Sequence, residues 1–145
     1  MESASPSFPK PELTQAEWGY LAGLMDGEGS ICIVKMWRGG LSESFQIIVH
    51  ITNSSGVLLE YVAARLGGAI YAGRRHRGTG KLVRRWQVSG RKAVAVLEWL
   101  YPYLVAKREQ ARIGIEFYAV TDRKDLQQQM KELNAEGRLE PSRFQ

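Results

Sequence analysis

Residues 18–29 read W-G-Y-L-A-G-L-M-D-G-E-G, a short helical pattern that ends on two acids interleaved with glycines. Thr14 and Glu17 stand three apart as a capping box, and Leu13 and Trp18 occupy the two positions of a hydrophobic staple, which predicts a helix starting after Thr14. Gly27 and Gly29 predict its end, with Asp26 in the last turn and Glu28 as the first extended residue. A cation could be held there, against the carbonyl-rich helix C-terminus. Gly19, Gly23 and Gly27 recur every four residues and form one stripe without side chains. Each glycine inside a helix costs about 1 kcal/mol relative to alanine, so the stripe points to close approach of a second helix rather than to helix stability. Trp18, Leu21, Leu24 and Met25 form the opposite, apolar side.

Beyond this helix the periodicity changes. Ser30–Arg38 and Ser44–Asn53 alternate and are rich in Ile, Val and Phe, with Gly39 and Gly40 between them, which predicts a β-hairpin. Gly56–Leu66 returns to a helical pattern closed by Gly67 and Gly68. Ala69–His76 and Leu82–Ser89 predict a second hairpin around Gly78 and Gly80, and Lys92–Leu100 a helix stopped at Pro102. Lys107–Val120 is again helical, followed after Asp122 by a polar helix to about Ala135. Periodicity alone therefore gives α-β-β-α-β-β-α, an α+β class with two ββα units after a lead helix. The division expected is a disordered leader over 1–12, a core domain over 13–120, and a C-terminal helix and tail over 121–145.

A chain of 145 residues with 44% hydrophobic residues fits one domain with a substantial core. Twenty Lys and Arg against fifteen Asp and Glu give a net charge of +5, which favours a polyanionic partner without proving one. Cys32 is the only cysteine, so no intrachain disulfide can form and an intracellular reducing compartment is expected. No apolar run approaches the roughly 20 residues of a membrane span, and Met1–Lys10 lacks the hydrophobic centre of a signal peptide. Two acids at a glycine-rich helix exit, on a basic and strand-rich chain, point to phosphodiester chemistry.

Leu21–Gly29, L-A-G-L-M-D-G-E-G, resembles the signature of the LAGLIDADG homing endonucleases, departing by Met25 for Ile, Gly27 for Ala and Glu28 for Asp. The resemblance extends the reading to about Leu13–Ala119. It implies the αββαββα fold, with a curved antiparallel four-stranded sheet forming a saddle for double-stranded DNA, where a two-stranded ribbon fits the major groove. One motif implies half an active site and so a homodimer, packed through Gly19, Gly23, Asp26 and Gly27. The implied activity is hydrolysis of both strands of a long pseudo-palindromic site, leaving staggered ends, by an intron-encoded enzyme.

By the same resemblance Glu28 is the metal ligand, Gly27 adds its backbone carbonyl, and the cofactor is Mg²⁺. Mn²⁺ would substitute, and Ca²⁺ would bind without supporting cleavage. Asp26 serves the helix interface, against the simpler role of capping a neighbouring helix. Asn53 stands where relatives often carry a glutamine that orders water, though it could equally cap the next helix. Lys107 aligns with a lysine that polarises phosphate or solvent, or else is a solvated cation at a helix start. A second basic residue at the start of the helix after the first hairpin has no counterpart, because Gly56 and Val57 stand there.

Strand alternation selects the candidate base-reading face. If Trp86 and Val88 point inward, Arg85 and Gln87 point to DNA, with Tyr71 and Arg75 sharing that face, and the first hairpin contributes Met36, Arg38, Ser44, Gln46, Ile48 and His50. Arg74, Arg77 and Arg84 are assigned to phosphate contacts, and His76 to a loop with no metal motif. Two other readings stay open. One is a non-cleaving binder on the same scaffold, either a splicing maturase that takes RNA or a DNA-binding regulator. The other, a protein-interaction domain, is disfavoured by the arginine-rich hairpin.

Overall fold

The computed structural model describes residues 8–37, 43–75 and 77–136. Its first element, α1 (Gln15–Glu28), is closed at its start by the reciprocal pair expected from sequence: the Thr14 hydroxyl accepts from the Glu17 N–H at 3.1 Å, and the Glu17 carboxylate accepts from the Thr14 N–H at 2.9 Å. The Thr14 N–H bond, followed by the Arg65 contact, holds the Glu17 carboxyl below its usual pKa. The helix end departs from the sequence expectation. Gly27 remains helical and Glu28 is the last helical residue, since one glycine weakens a helix without terminating it. Termination falls at Gly29, which is extended (φ −87°, ψ 166°) and donates its N–H to the Met25 carbonyl. Proximity, not φ, requires glycine here: a Cβ would strike the Met25 sulfur and stand 2.8 Å from the Met25 carbonyl oxygen.

Strand β1 (Gly29–Trp37) therefore begins without a loop and pairs antiparallel with β2 (Glu43–Asn53). After α2 (Gly56–Leu66), β3 (Ala69–Tyr71) and β4 (Arg84–Ser89) complete a four-stranded antiparallel sheet in the order β1-β2-β4-β3. Then come α3 (Gly90–Leu100), a single 3-10 turn around Pro102, α4 (Arg108–Ile115) and α5 (Arg123–Glu136). The αββαββα order read from periodicity is thus the observed one. Arg38 and His76 lie outside the described residues.

Both strands of the second hairpin and α4 are shorter than expected, β4 starting at Arg84 and not at Leu82. Regular pairing of β3 stops at Tyr71 and resumes only at the isolated bridge between Arg75 and Leu82. Between those pairs residues 72–74 oppose residues 83–84, three against two, which is a β-bulge. Gly73 lies in it, where a Cβ would collide with the Val83 carbonyl. Likewise α4 ends at Ile115 rather than Val120: the Glu116 and Phe117 N–H groups reach back to the Ile113 and Gly114 carbonyls, tightening the chain out of the α-helix.

Alternation buries Ile31, Ile33, Ile47, Val49, Ile51, Trp86 and Val88 on one face of the sheet, against Leu21, Met25, Leu59, Val62 and Leu97 of the helices. Leu126 and Met130 of α5 join the same core, and α5 bonds the free edge of β1, with Gln127 Nε2 donating to the Ile33 carbonyl at 3.1 Å and Asn134 Nδ2 to the Ile31 carbonyl at 3.0 Å. The opposite face of the sheet has no buried residue from Ser30 to Met36 or at Gln46, Ile48, His50 and Thr52. Because the α1–β1 junction has no slack, Gly29→Ala should lower unfolding stability by about 1–3 kcal/mol, read from its urea midpoint.

Candidate functional site

The last four carbonyls of a helix have no partner within it, and at the C-terminus of α1 this chain answers one of them with a side chain. Lys107 Nζ donates to the Asp26 carbonyl at 2.7 Å. In return the Asp26 carboxylate accepts the Val105 and Lys107 N–H groups, each at 2.9 Å, across 79 and 81 residues of sequence. Both Asp26 oxygens are thus engaged within the chain, capping the approach to α4. Lys107 itself is the residue before α4 and is half-buried, with its ammonium held at the end of α1 rather than solvated at a helix start.

Glu28, two residues beyond Asp26, is exposed. Its Oε1 accepts from Asn53 Nδ2 at 3.0 Å, while Asn53 Oδ1 accepts from the Ser55 N–H at 2.8 Å. The asparagine therefore both turns the chain toward α2, whose N-cap is Ser55, and holds the carboxylate, a contact that the sequence reading did not foresee. Glu28, Asn53 and the main chain bonded by Lys107 meet at one helix end. The donors here suit a hard divalent cation, because the Glu28 carboxylate is accessible and the N–H four residues beyond the Gly27 carbonyl belongs to β1. Among the described residues no group of three or more His, Cys, Asp or Glu gathers, and with both Asp26 oxygens engaged Glu28 is the carboxylate left open at this helix end.

Gly19, Gly23 and Gly27 lie exposed along α1, and a Cβ at any of them would meet nothing within 4 Å. The close approach inferred from their spacing is not made inside this chain.

Across the open face of the sheet the ladder places Met36 opposite Ser44, Val34 opposite Gln46, Cys32 opposite Ile48, and Ser30 opposite His50. His50 is flanked on its other side by Gln87, and Thr52 by Arg85, which in turn faces Tyr71. Ser30, Cys32, Val34 and Thr52 belong to this face and were missed in the sequence reading, although the same alternation selects them. An open cleft of about 660 Å³ at one end is lined by Tyr71, Arg74, Arg75, Arg84, Arg85 and Gln87, among others. Strand parity does not carry Arg75 to the face of Tyr71, because the bulge intervenes; its Nη1 bonds the Gly80 carbonyl at 3.0 Å, and its side chain also lines the neighbouring cleft of Ser54, Lys81 and Arg84. Arg77 is exposed in the turn.

Burial, followed by the nearby Arg85 charge, pushes the His50 imidazole down to about 4, and Nδ1 is buried without a partner. Burial likewise raises the Cys32 thiol above its usual value. His50 is consequently a neutral group with one donor and one acceptor nitrogen at physiological pH, suited to a base edge and not to a phosphate charge.

No protein-family model and no curated protein matches the chain. Solved structures do. The homing endonuclease I-CvuI in complex with its target superposes with a TM-score of 0.67 and 24% identity over 82% of each chain. The archaeal intron-encoded homing endonuclease I-Vdi141I, complexed with DNA, gives 0.59 and 18% over 70% of this chain and 66% of that one. The I-LtrWI LAGLIDADG homing endonuclease bound to target DNA gives 0.60 and 16% over 89% and 46%. The chain has the fold of these proteins.

Two tests follow from the geometry. Asp26→Ala removes the acceptor for two N–H groups and should cost about 1–2 kcal/mol in denaturant unfolding, in the range of a lost helix cap. For His50 the folded value of about 4 lies below the ordinary 6.5, so the unfolded chain binds the proton first. Its contribution to stability is complete above pH 6.5 and is lost as pH falls toward 4, and NMR titration of the imidazole should place its midpoint near that lower value.

Proposed function

We propose that this chain is a LAGLIDADG homing endonuclease that acts as a homodimer on a long, pseudo-palindromic DNA duplex, hydrolysing both strands with a divalent metal and leaving staggered ends. The observation that carries the proposal is the exposed Glu28 carboxylate at the end of α1, held by Asn53 and bordered by the Lys107 clamp, on a fold otherwise represented by DNA-bound endonucleases.

The exposed glycine stripe supports the dimer. Gly19, Gly23 and Gly27 leave α1 open to a second α1 along its length, and packing two such helices brings the two Glu28 carboxylates to opposite sides of one axis. The one open carboxylate at the end of each α1 would become two per site by this means. The Glu28 carboxylate and Gly27 carbonyl would hold Mg²⁺, which supplies charge neutralisation at phosphate and a water of lowered pKa. Asn53 keeps the carboxylate aimed by donating one N–H to it and leaves the other oxygen open. Lys107 fixes the last turn that carries Glu28 and sets a positive charge next to it.

Recognition is assigned to the open face. Arg85 and Gln87 offer bidentate contacts to guanine and adenine edges, each contributing about 1–3 kcal/mol of discrimination, and His50 places a neutral imidazole between Ser30 and Gln87. Arg74, Arg75 and Arg77 contribute phosphate contacts that fix position rather than sequence. Cys32, a free thiol on this face, suits a reducing intracellular compartment.

The experiment is cleavage of a randomised duplex library with Mg²⁺, with sequencing of the ends. Staggered cuts at one family of near-palindromes, abolished by Glu28→Gln and by Ca²⁺ in place of Mg²⁺, are the expected result. A confirmed dimer that retains duplexes and cuts none of them with any divalent metal would replace the nuclease by the non-cleaving binder, and intron RNA would then be the ligand to try.

A further inference from the structure

Strand β4 presents two adjacent arginines that the ladder sends to opposite sides. Arg85 pairs with Thr52 on the open face, whereas Arg84 pairs with Asn53, the residue whose amide holds Glu28 at 3.0 Å. Arg84 also shares the parity of Trp86 and Val88, which are buried toward the helices, so its side chain starts toward α1 and α2 although the residue also borders the cleft at the end of the open face. Its guanidinium lies at the start of α2, where a Cβ on Gly56 would stand 2.8 Å from Nη1. The absence of a side chain at residue 56 is what makes room for it.

Arg84 is exposed, and among the described residues no carboxylate is paired with it. A cation beside the positive end of a helix is unfavourable in isolation, and an anion placed between the two reverses the sign. Lys81 and Arg75 line the same cleft of about 410 Å³, so the local charge is positive from three chain segments. Ser54, which follows Asn53 in the chain, lines that cleft too, and the Arg84–Asn53 pair is what links Arg84 to Glu28.

We propose that Arg84 contacts the phosphate at which the strand is cut. This rests on the nuclease reading above and adds a catalytic residue to it. In the hydrolysis, the water oxygen bonds to phosphorus while the bond from phosphorus to the leaving sugar oxygen breaks. One water proton ends on that leaving oxygen and the other on solvent. Negative charge concentrates on the non-bridging oxygens as the fifth bond forms, and the Arg84 N–H groups stabilise it there. Its partner Asn53 keeps the carboxylate in register with the same phosphate, so one cross-strand pair serves both the anion and the acid that would hold its metal.

The test uses the full-length dimer and the duplex recovered from wild-type cleavage. Arg84→Ala and Arg84→Lys are compared with wild type in two assays: dissociation constants in Ca²⁺ over a range of salt, and single-turnover cleavage in Mg²⁺ at saturating protein. Because the side chain is exposed, both variants should unfold at the wild-type temperature. The expected result is a cleavage rate about 10²-fold lower for Arg84→Ala, in the range of a lost transition-state donor, with partial recovery in Arg84→Lys and affinity within about threefold of wild type. An unchanged rate at saturation, with weaker binding and a salt slope reduced by about one, would make Arg84 an anchor for a remote phosphate and overturn the proposal. A wild type that binds and never cuts removes the nuclease reading and this proposal together, whereas a cutting wild type with an equally fast Arg84→Ala variant removes the proposal alone.

Discussion

Everything that bears on the carboxylate depends on how α1 stops. A helix must leave its final carbonyls without internal partners, and here that unavoidable deficit is used to tie together three distant parts of the chain. Lys107 answers the Asp26 carbonyl, Asp26 answers the backbone before α4, and Gly29 returns its N–H to Met25 while already belonging to β1. The helix, the first strand and the fourth helix are therefore fixed relative to one another within two turns of backbone. Glu28 sits in this knot with its side chain exposed.

In the proposed function, strand parity divides the residues assigned to recognition from those assigned to chemistry. Odd-numbered β4 residues Arg85 and Gln87 share the open face with His50 and Thr52 across the ladder, while Arg84 and its partner Asn53 turn to the helix side. A shift of one residue in that pairing would exchange the two roles, and the buried Trp86 prevents it. Its indole Nε1 donates to the Gly67 carbonyl at 2.7 Å, which locks the strand to the end of α2. Core packing and site geometry are in this sense one constraint.

The elements that were legible in the sequence are those written in local chemistry. The capping box at Thr14, the paired glycines after Leu66 and the alternation through Ile47, Val49 and Ile51 each act within a few residues, and each appears where the pattern puts it. The nine-residue signature located Glu28 and implied its neighbours. What the pattern did not reveal is long-range or depends on competition. The Asp26 carboxylate and the Lys107 backbone are 81 residues apart, and either group alone reads as a surface charge. The bulge at Gly73 breaks the alternation by which Arg75 was placed, and Gly27 looked like a terminator when one glycine costs too little to stop a helix. The turn of Arg84 away from Arg85 follows from strand alternation, but its pairing with Asn53 follows from the register, which only the folded sheet supplies.

The amides of α5 have a consequence of a different kind. A strand at the margin of a sheet is an open template, and any extended segment of another molecule can dock on it through the same carbonyls that a fifth strand would use. Gln127 and Asn134 occupy two of those carbonyls, at Ile33 and Ile31, with side chains on a helix that cannot itself propagate the sheet. The C-terminal helix thus acts as a selvedge. It finishes the fabric on the β1 side, leaving that margin less open to edge-to-edge pairing.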